Sequence, residues 1–207
     1  MSRTRLSLLG AVGVLGAILA TCGWSAEAGK KQRPPKRKPD VHFVGTPQEV
    51  VDWMLLLARV KKDDVVYDLG CGDGRILVAA AKTYGCKAVG YDIDPQRVKE
   101  SRENVRKNNV EALVSVEEKD IFTLDLSGAS VVTLYLLPAL NVKLIPQLEK
   151  LKAGTRIVSH DFDMQGVMPD AVLTLWSEDG QEHKVYLWTA PLKKGARSEE
   201  MDETAGE

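Results

Sequence analysis

The sequence predicts an α/β fold: a three-layer sandwich with a mostly parallel seven-stranded sheet and a C-terminal antiparallel hairpin. Three observations predict it. Short apolar runs alternate with helical segments from Thr46 to about Ser159, the order that builds a parallel sheet with helices between its strands. Val131–Leu137 is apolar apart from Thr133 and the Tyr135 hydroxyl, the near-continuous run that a strand covered on both faces shows. Val172–Trp176 and His183–Trp188 alternate apolar and polar residues around Glu178-Asp179-Gly180-Gln181, the pattern of a hairpin.

The elements follow in chain order. Thr46–Val60 predicts a helix, with Thr46 as N-cap, Pro47 at the first position and Val50, Met54, Leu57 and Ala58 on one face. Lys61-Lys62-Asp63-Asp64 turns into a strand at Val65–Leu69. Arg75–Tyr84 predicts a helix and Ala88–Asp92 a strand. Asp94 caps and Pro95 opens a helix to about Asn108, whose many charges mark an exposed face. Leu113–Val116, Val131–Leu137 and Arg156–Ser159 are further strands. Asn141–Leu151 predicts a helix that Pro146 bends or shortens. Trp176 and Trp188 are expected to pack against each other across the hairpin.

Residues 1–28 read as a signal peptide or membrane anchor: Arg3 and Arg5 precede an apolar run, and Ala26-Glu27-Ala28 resembles a cleavage site. Residues 6–24 are about long enough to cross a thin bilayer, and Leu19-Ala20-Thr21-Cys22 has some likeness to a lipobox. The chain is therefore expected to be exported or membrane-anchored, with the side of the membrane open. Residues 29–42 form a basic, Pro-rich linker, 43–192 the folded domain and 193–207 an acidic, disordered tail.

Charge separates these parts. Residues 1–40 hold eight Lys/Arg and two acids, whereas residues 41–207 hold 20 and 27. A body near −7 has no electrostatic footprint for nucleic acid. The three cysteines and three histidines show no metal-ligand spacing, so neither a disulfide framework nor a metal is expected.

The most informative segment is Val65-Val66-Tyr67-Asp68-Leu69-Gly70-Cys71-Gly72-Asp73-Gly74-Arg75. It reads as a buried strand ending in an acid, a glycine loop and a helix start. Ligands of open α/β sheets bind there, and glycine lets a ligand approach the backbone closely. Asp92 ends the second strand, where a carboxylate can accept from ribose hydroxyls. An NAD site uses such an acid too, so an oxidoreductase stays open on Asp92 alone. Asp68 weighs against a pyrophosphate, which it would repel, and in favour of a ligand ammonium. The Gly-x-Gly-x-Gly spacing also departs from the dinucleotide loop, and no Gly-Lys-Ser/Thr follows it.

Asp68–Arg75, Val89–Pro95 and Glu118–Ile121 resemble, in order, the first three motifs of class I S-adenosylmethionine-dependent methyltransferases. The resemblance implies roles. Asp68 and the backbone of Gly70, Cys71, Gly72 and Gly74 would hold the methionine end of S-adenosylmethionine. Asp92 would hold the ribose, Ile93 and Ile121 would flank the adenine, and Asp120 would accept from its amino group. Phe43–Pro47, Gly72–Ile76 and Ser101-Arg102 with Asn104 resemble more closely the small seven-strand lysine methyltransferases that modify mitochondrial membrane proteins. The acceptor this implies is a protein lysine. The Asn/Asp-Pro-Pro-Tyr of methyltransferases acting on amide or exocyclic nitrogens is replaced by Leu134-Tyr135-Leu136-Leu137-Pro138. Tyr135 is the candidate catalytic residue, with a core tyrosine as the alternative. His160, Asp161 and Asp163 read either as a base with acidic neighbours or as loop caps. A non-catalytic cofactor-binding or envelope interaction module is the remaining functional alternative.

Overall fold

In a computed structural model, residues 38, 43–178 and 180–195 are described. The expected leader, linker and tail lie almost wholly outside them. No described helix is long and apolar enough to cross a membrane.

The core is a seven-stranded sheet. Its strands are β1 (Val65–Leu69), β2 (Lys87–Asp92), β3 (Val114–Glu118), β4 (Val131–Leu134), β5 (Arg156–His160), β7 (Ala171–Trp176) and β8 (Glu182–Thr189), while the short β6 (Val167–Met168) lies apart from it. Their spatial order is β3-β2-β1-β4-β5-β8-β7. The first five run parallel, and β8 pairs antiparallel with both β5 and β7. The chain winds outward from β1 through β2 to β3, then returns to β4 on the other side of β1. This reversal opens a crevice at the carboxyl ends of β1 and β4.

Successive strand residues feed two cores. Val66, Ala88, Val131, Val158 and Val185 pack beneath α1 (Gln48–Leu57), α2 (Arg75–Ala79) and α3 (Pro95–Lys107). Leu69, Val132, Leu134, Ile157 and Trp188 pack on the opposite face with Leu144 and Leu148 of α4 (Pro138–Leu148). Every residue of β4 is buried, Thr133 with its hydroxyl bonded to Asp68, as a central strand requires. A π-helical turn, Ala80–Tyr84, extends α2 to Gly85, whose φ of 66° ends it. Asp94 caps α3 by accepting from the Gln96 amide.

Four expectations need correction. Thr46 does not cap α1; Pro47 does so without a side-chain bond, because the Thr46 side chain is turned to His160. Strand β4 stops at Leu134, which leaves Tyr135–Leu137 as a loop, and α4 begins early at Pro138. Trp176 and Trp188 do not meet: the register sets Trp176 opposite Glu182 beside the turn, 70% exposed, while Trp188 is fully buried on the β5 side. Lys193 and Lys194 form a short strand, β9, paired with β6, so ordered pairing continues past residue 192.

Candidate active site

Strand β1 delivers Asp68 to the crevice, where the carboxylate is buried. Its Oδ1 accepts from Thr133 Oγ1 of β4 at 2.7 Å, and its Oδ2 is buried with no hydrogen-bond partner. Burial pushes this carboxyl up to about 7, against the Thr133 bond, and the charges of Asp92 and Asp73 add to the rise. A buried, unsatisfied oxygen is costly unless a donor arrives from outside.

The glycine loop wraps around this acid. Gly70, Gly72 and Gly74 all have positive φ. The amides of Gly70 and Cys71 donate to the Tyr91 carbonyl, and that of Gly72 donates to Asp92 Oδ2 at 2.9 Å. A Cβ at Gly72 would sit 2.1 Å from the Phe43 ring, and one at Gly74 would sit 2.2 Å from Ser101 Oγ. Cys71 is buried in the wall, and burial holds its thiol well above the usual range. Asp92 also accepts from the Asp94 amide through Oδ1. Its burial raises its carboxyl above the ordinary value.

These residues line one cleft of about 910 Å³, open mouth included. Asp68, Gly70, Cys71, Asp92, Ile93, Asp120, Ile121 and Tyr135 all lie on its wall. Gly72 and Gly74 shape the loop from behind. Asp120 accepts from the Phe122 amide and starts a 3-10 turn that buries Ile121. Arg75 chelates Asp73 and donates to the Thr46 carbonyl at 2.7 Å, which ties the segment Phe43–Thr46 to the loop. Asn104 donates to the Asp73 carbonyl, and Arg102 to the Val116 carbonyl.

Tyr135 sits just past β4, its ring centroid 4.0 Å from that of His160. Burial lifts its phenol above the ordinary value. His160 itself is fully buried beneath this wall. Burial drives its imidazole down to about 4, against the pull of Asp161, and His183 adds to the fall. Thr46 Oγ1 lies 3.2 Å from its Nδ1, and His183 Nδ1 lies 2.9 Å from its Nε2. The grouping of Thr46, His160 and His183 is invisible in the sequence because 114 and 23 residues separate the partners. Asp163 contributes its backbone carbonyl, to Asn141.

An ammonium-bearing cofactor fits this arrangement, since Asp68 offers an unpaired carboxylate oxygen inside a glycine cradle. Known proteins point the same way. Residues 68–171 match the ANTKMT methyltransferase domain. The chain belongs to this methyltransferase family. It is 48% identical over 153 residues to a protein-lysine N-methyltransferase of Saccharolobus islandicus, covering 72% of this chain and 94% of that protein. It is 32% identical over 134 residues to the adenine nucleotide translocase lysine N-methyltransferase of Mus musculus, covering 64% of this chain and 58% of that protein. A crystal structure described as an RNA methyltransferase from Salinibacter ruber, in complex with S-adenosyl-L-homocysteine, superposes with a TM-score of 0.67. It shares 48% identity, over 75% of this chain and 97% of that one. The enzyme is an S-adenosylmethionine-dependent methyltransferase, and the NAD-dependent and non-catalytic alternatives fall away.

Proposed function

We propose that this methyltransferase acts on the side-chain amine of a lysine in a protein. The observation that carries this reading is the wall around Tyr135. Tyr135 and Leu136 from the loop after β4 share the cleft with Leu140 of α4, Phe43, Val44 and Phe122, which make part of its lining apolar and aromatic. An apolar wall disfavours an ammonium and leaves a lysine as the free amine, which is the nucleophile. The names of the relatives from Saccharolobus islandicus and Mus musculus support it.

When bound, S-adenosylmethionine supplies an electrophilic methyl group on a sulfonium. Asp68 would hold the methionine ammonium and Asp92 the ribose, with Ile93 and Ile121 beside the adenine and Asp120 toward its amino group. Tyr135 orients the amine, and Phe43, Leu136 and Leu140 exclude water from it. No charged base is required, because the apolar wall itself favours the unprotonated amine.

The Salinibacter ruber neighbour raises RNA as a second acceptor. The acidic body speaks against it, for a strand of phosphates needs a basic track. Transfer of a radiolabelled methyl group into a cell extract decides between them. Label that is destroyed by protease and maps to methyl-lysine supports the proposal; label that is destroyed by ribonuclease overturns it. We also propose that residues 6–24 bring the enzyme to a membrane, by export or as an anchor, on the strength of their length and basic flanks. Recovery of the full chain in the soluble fraction with its N-terminus intact would refute this.

A further inference from the structure

The fold gathers three donor atoms beneath the Tyr135 wall. His160 ends β5, Asp161 follows it, and His183 lies on the antiparallel neighbour β8. His160 Nε2 is 2.9 Å from His183 Nδ1 and 3.2 Å from Asp161 Oδ2; the third edge, His183 Nδ1 to Asp161 Oδ2, is 3.3 Å. We propose that this triangle binds a divalent transition metal, zinc being the best fit, through His160 Nε2, His183 Nδ1 and Asp161 Oδ2.

Hydrogen bonding alone does not satisfy the triangle. With Asp161 as a carboxylate, only the two imidazoles can supply protons to its three edges. If both facing nitrogens carry a proton, two N–H groups collide at 2.9 Å. If only His160 Nε2 does, the lone pairs of His183 Nδ1 and Asp161 Oδ2 oppose each other at 3.3 Å. If only His183 Nδ1 does, His160 Nε2 and Asp161 Oδ2 oppose each other at 3.2 Å. A cation among them could take a lone pair from each atom and so relieve all three edges at once.

The geometry fits a metal. Zinc holds nitrogen and oxygen ligands at about 2.0–2.2 Å, so ligand atoms at about 90–109° to one another lie about 2.8–3.6 Å apart. The three edges, 2.9, 3.2 and 3.3 Å, sit in that range. Two imidazoles and one carboxylate suit zinc, cobalt or nickel rather than magnesium or calcium. The surroundings support it further. His160 Nδ1 has Thr46 Oγ1 as the outer partner that metal-bound histidines use, and Asp161 Oδ1 accepts from the Lys184 amide at 3.0 Å. His183 Nε2 is buried without such a partner, so this half of the outer shell is missing. Asp161 holds a φ of 57°, unusual for a residue with a side chain, and this aims its carboxylate at the histidines. Both histidines are buried and Asp161 is partly exposed, which gives the ion a path from solvent. A bound ion would fix the imidazole on which Tyr135 rests and so position the pocket wall.

The test uses the full chain and stands apart from the identity of the acceptor. Elemental analysis of the purified protein is expected to find about one zinc per chain. Stripping with a chelator and restoring zinc should raise Tm by about 5 °C or more at saturation. Cobalt added to the stripped protein should give the visible absorption of a nitrogen- and oxygen-ligated site. Asp161→Asn and His183→Gln should each weaken cobalt binding about tenfold or more while S-adenosylhomocysteine binding persists. Stripped wild-type protein that takes up neither metal and keeps its Tm would overturn the proposal, whether or not the variants fold. Cobalt bound equally well by both variants would overturn it too.

Discussion

Asp68→Asn separates what the fold tolerates from what the cofactor needs. The folded protein holds the Asp68 carboxyl near 7 because it is buried, with Oδ2 unpartnered. In the unfolded chain the same group titrates near 3.8. Between these values the folded state keeps a proton that the unfolded state has released. Stability therefore falls as pH rises through that window, and the loss is complete above about pH 7. The rise from 3.8 to about 7 corresponds to about 4 kcal/mol. Asparagine has the same shape and no charge. Its oxygen can still accept from Thr133, but its amide stands where Oδ2 found no partner, which offsets part of the gain. A net stabilisation of about 2 kcal/mol remains, or about 4–8 °C in Tm for a domain of this size. Cofactor binding should move the opposite way, weakening about tenfold or more with the ammonium's partner gone. Calorimetric melting at pH 5 and pH 8, with titration of S-adenosylhomocysteine at pH 8, reads both. The variant and wild type should melt closer together at the lower pH and separate at the higher one. A variant that melts no higher at pH 8 and binds the cofactor as tightly would refute the account of Asp68.

Two further outcomes follow from the same wall. Gly72→Ala places a Cβ against Phe43 at a φ of 54°, which costs about 1–2 kcal/mol of stability; because Phe43 is half-exposed it can swing aside, so the protein should fold yet bind cofactor about tenfold less tightly. Equal cofactor affinity in Gly72→Ala and wild type, by calorimetry, would show that the cradle does not need the bare backbone. Tyr135→Phe keeps the ring on His160, so stability should stay within about 0.5 kcal/mol of wild type. Its kcat on a lysine-containing substrate should fall about tenfold or more at unchanged cofactor affinity, if the hydroxyl orients the amine. An unchanged kcat would reduce Tyr135 to packing.

The sheet and the cofactor half of the site were legible because local patterns dictate them. Val131–Leu134 carries aliphatic residues on both faces around a single Thr133, the pattern of a central strand. Asp68 stands one residue before the end of β1 and Asp92 ends β2, in strands that the chain itself announces by their length and their following glycine or Asp-Pro signals. Three of the misses share one cause: the deciding partner lies far along the chain. Thr46 looks like a helix cap until a histidine 114 residues later competes for its hydroxyl. Trp176 and Trp188 look paired until β5 fixes the register of β8 and takes Trp188 into its own core. Scattered histidines look inert until an antiparallel pairing sets them 2.9 Å apart. The pairing of β8 with β5, rather than the hairpin of β7 and β8 itself, thus created the cluster.

Thr46 shows how these distant pieces act on one site. Its carbonyl accepts from Arg75, which also chelates Asp73 in the glycine loop, so its backbone is tied to the cofactor side. Its hydroxyl meets His160 at the end of β5, so its side chain is tied to the Tyr135 side. Gly45, one residue earlier, has no room for a Cβ beside the Arg75 guanidinium. Phe43 covers Gly72 while Arg97 of α3 lies 4.9 Å from its ring centroid. The segment Phe43–Thr46 therefore spans the cleft as a strap fastened at both walls. A capping role for Thr46 would have stabilised only α1. Giving that up leaves α1 to start from Pro47, whose fixed φ suits a helix start, and frees one hydroxyl to couple the cofactor loop to the His160 cluster.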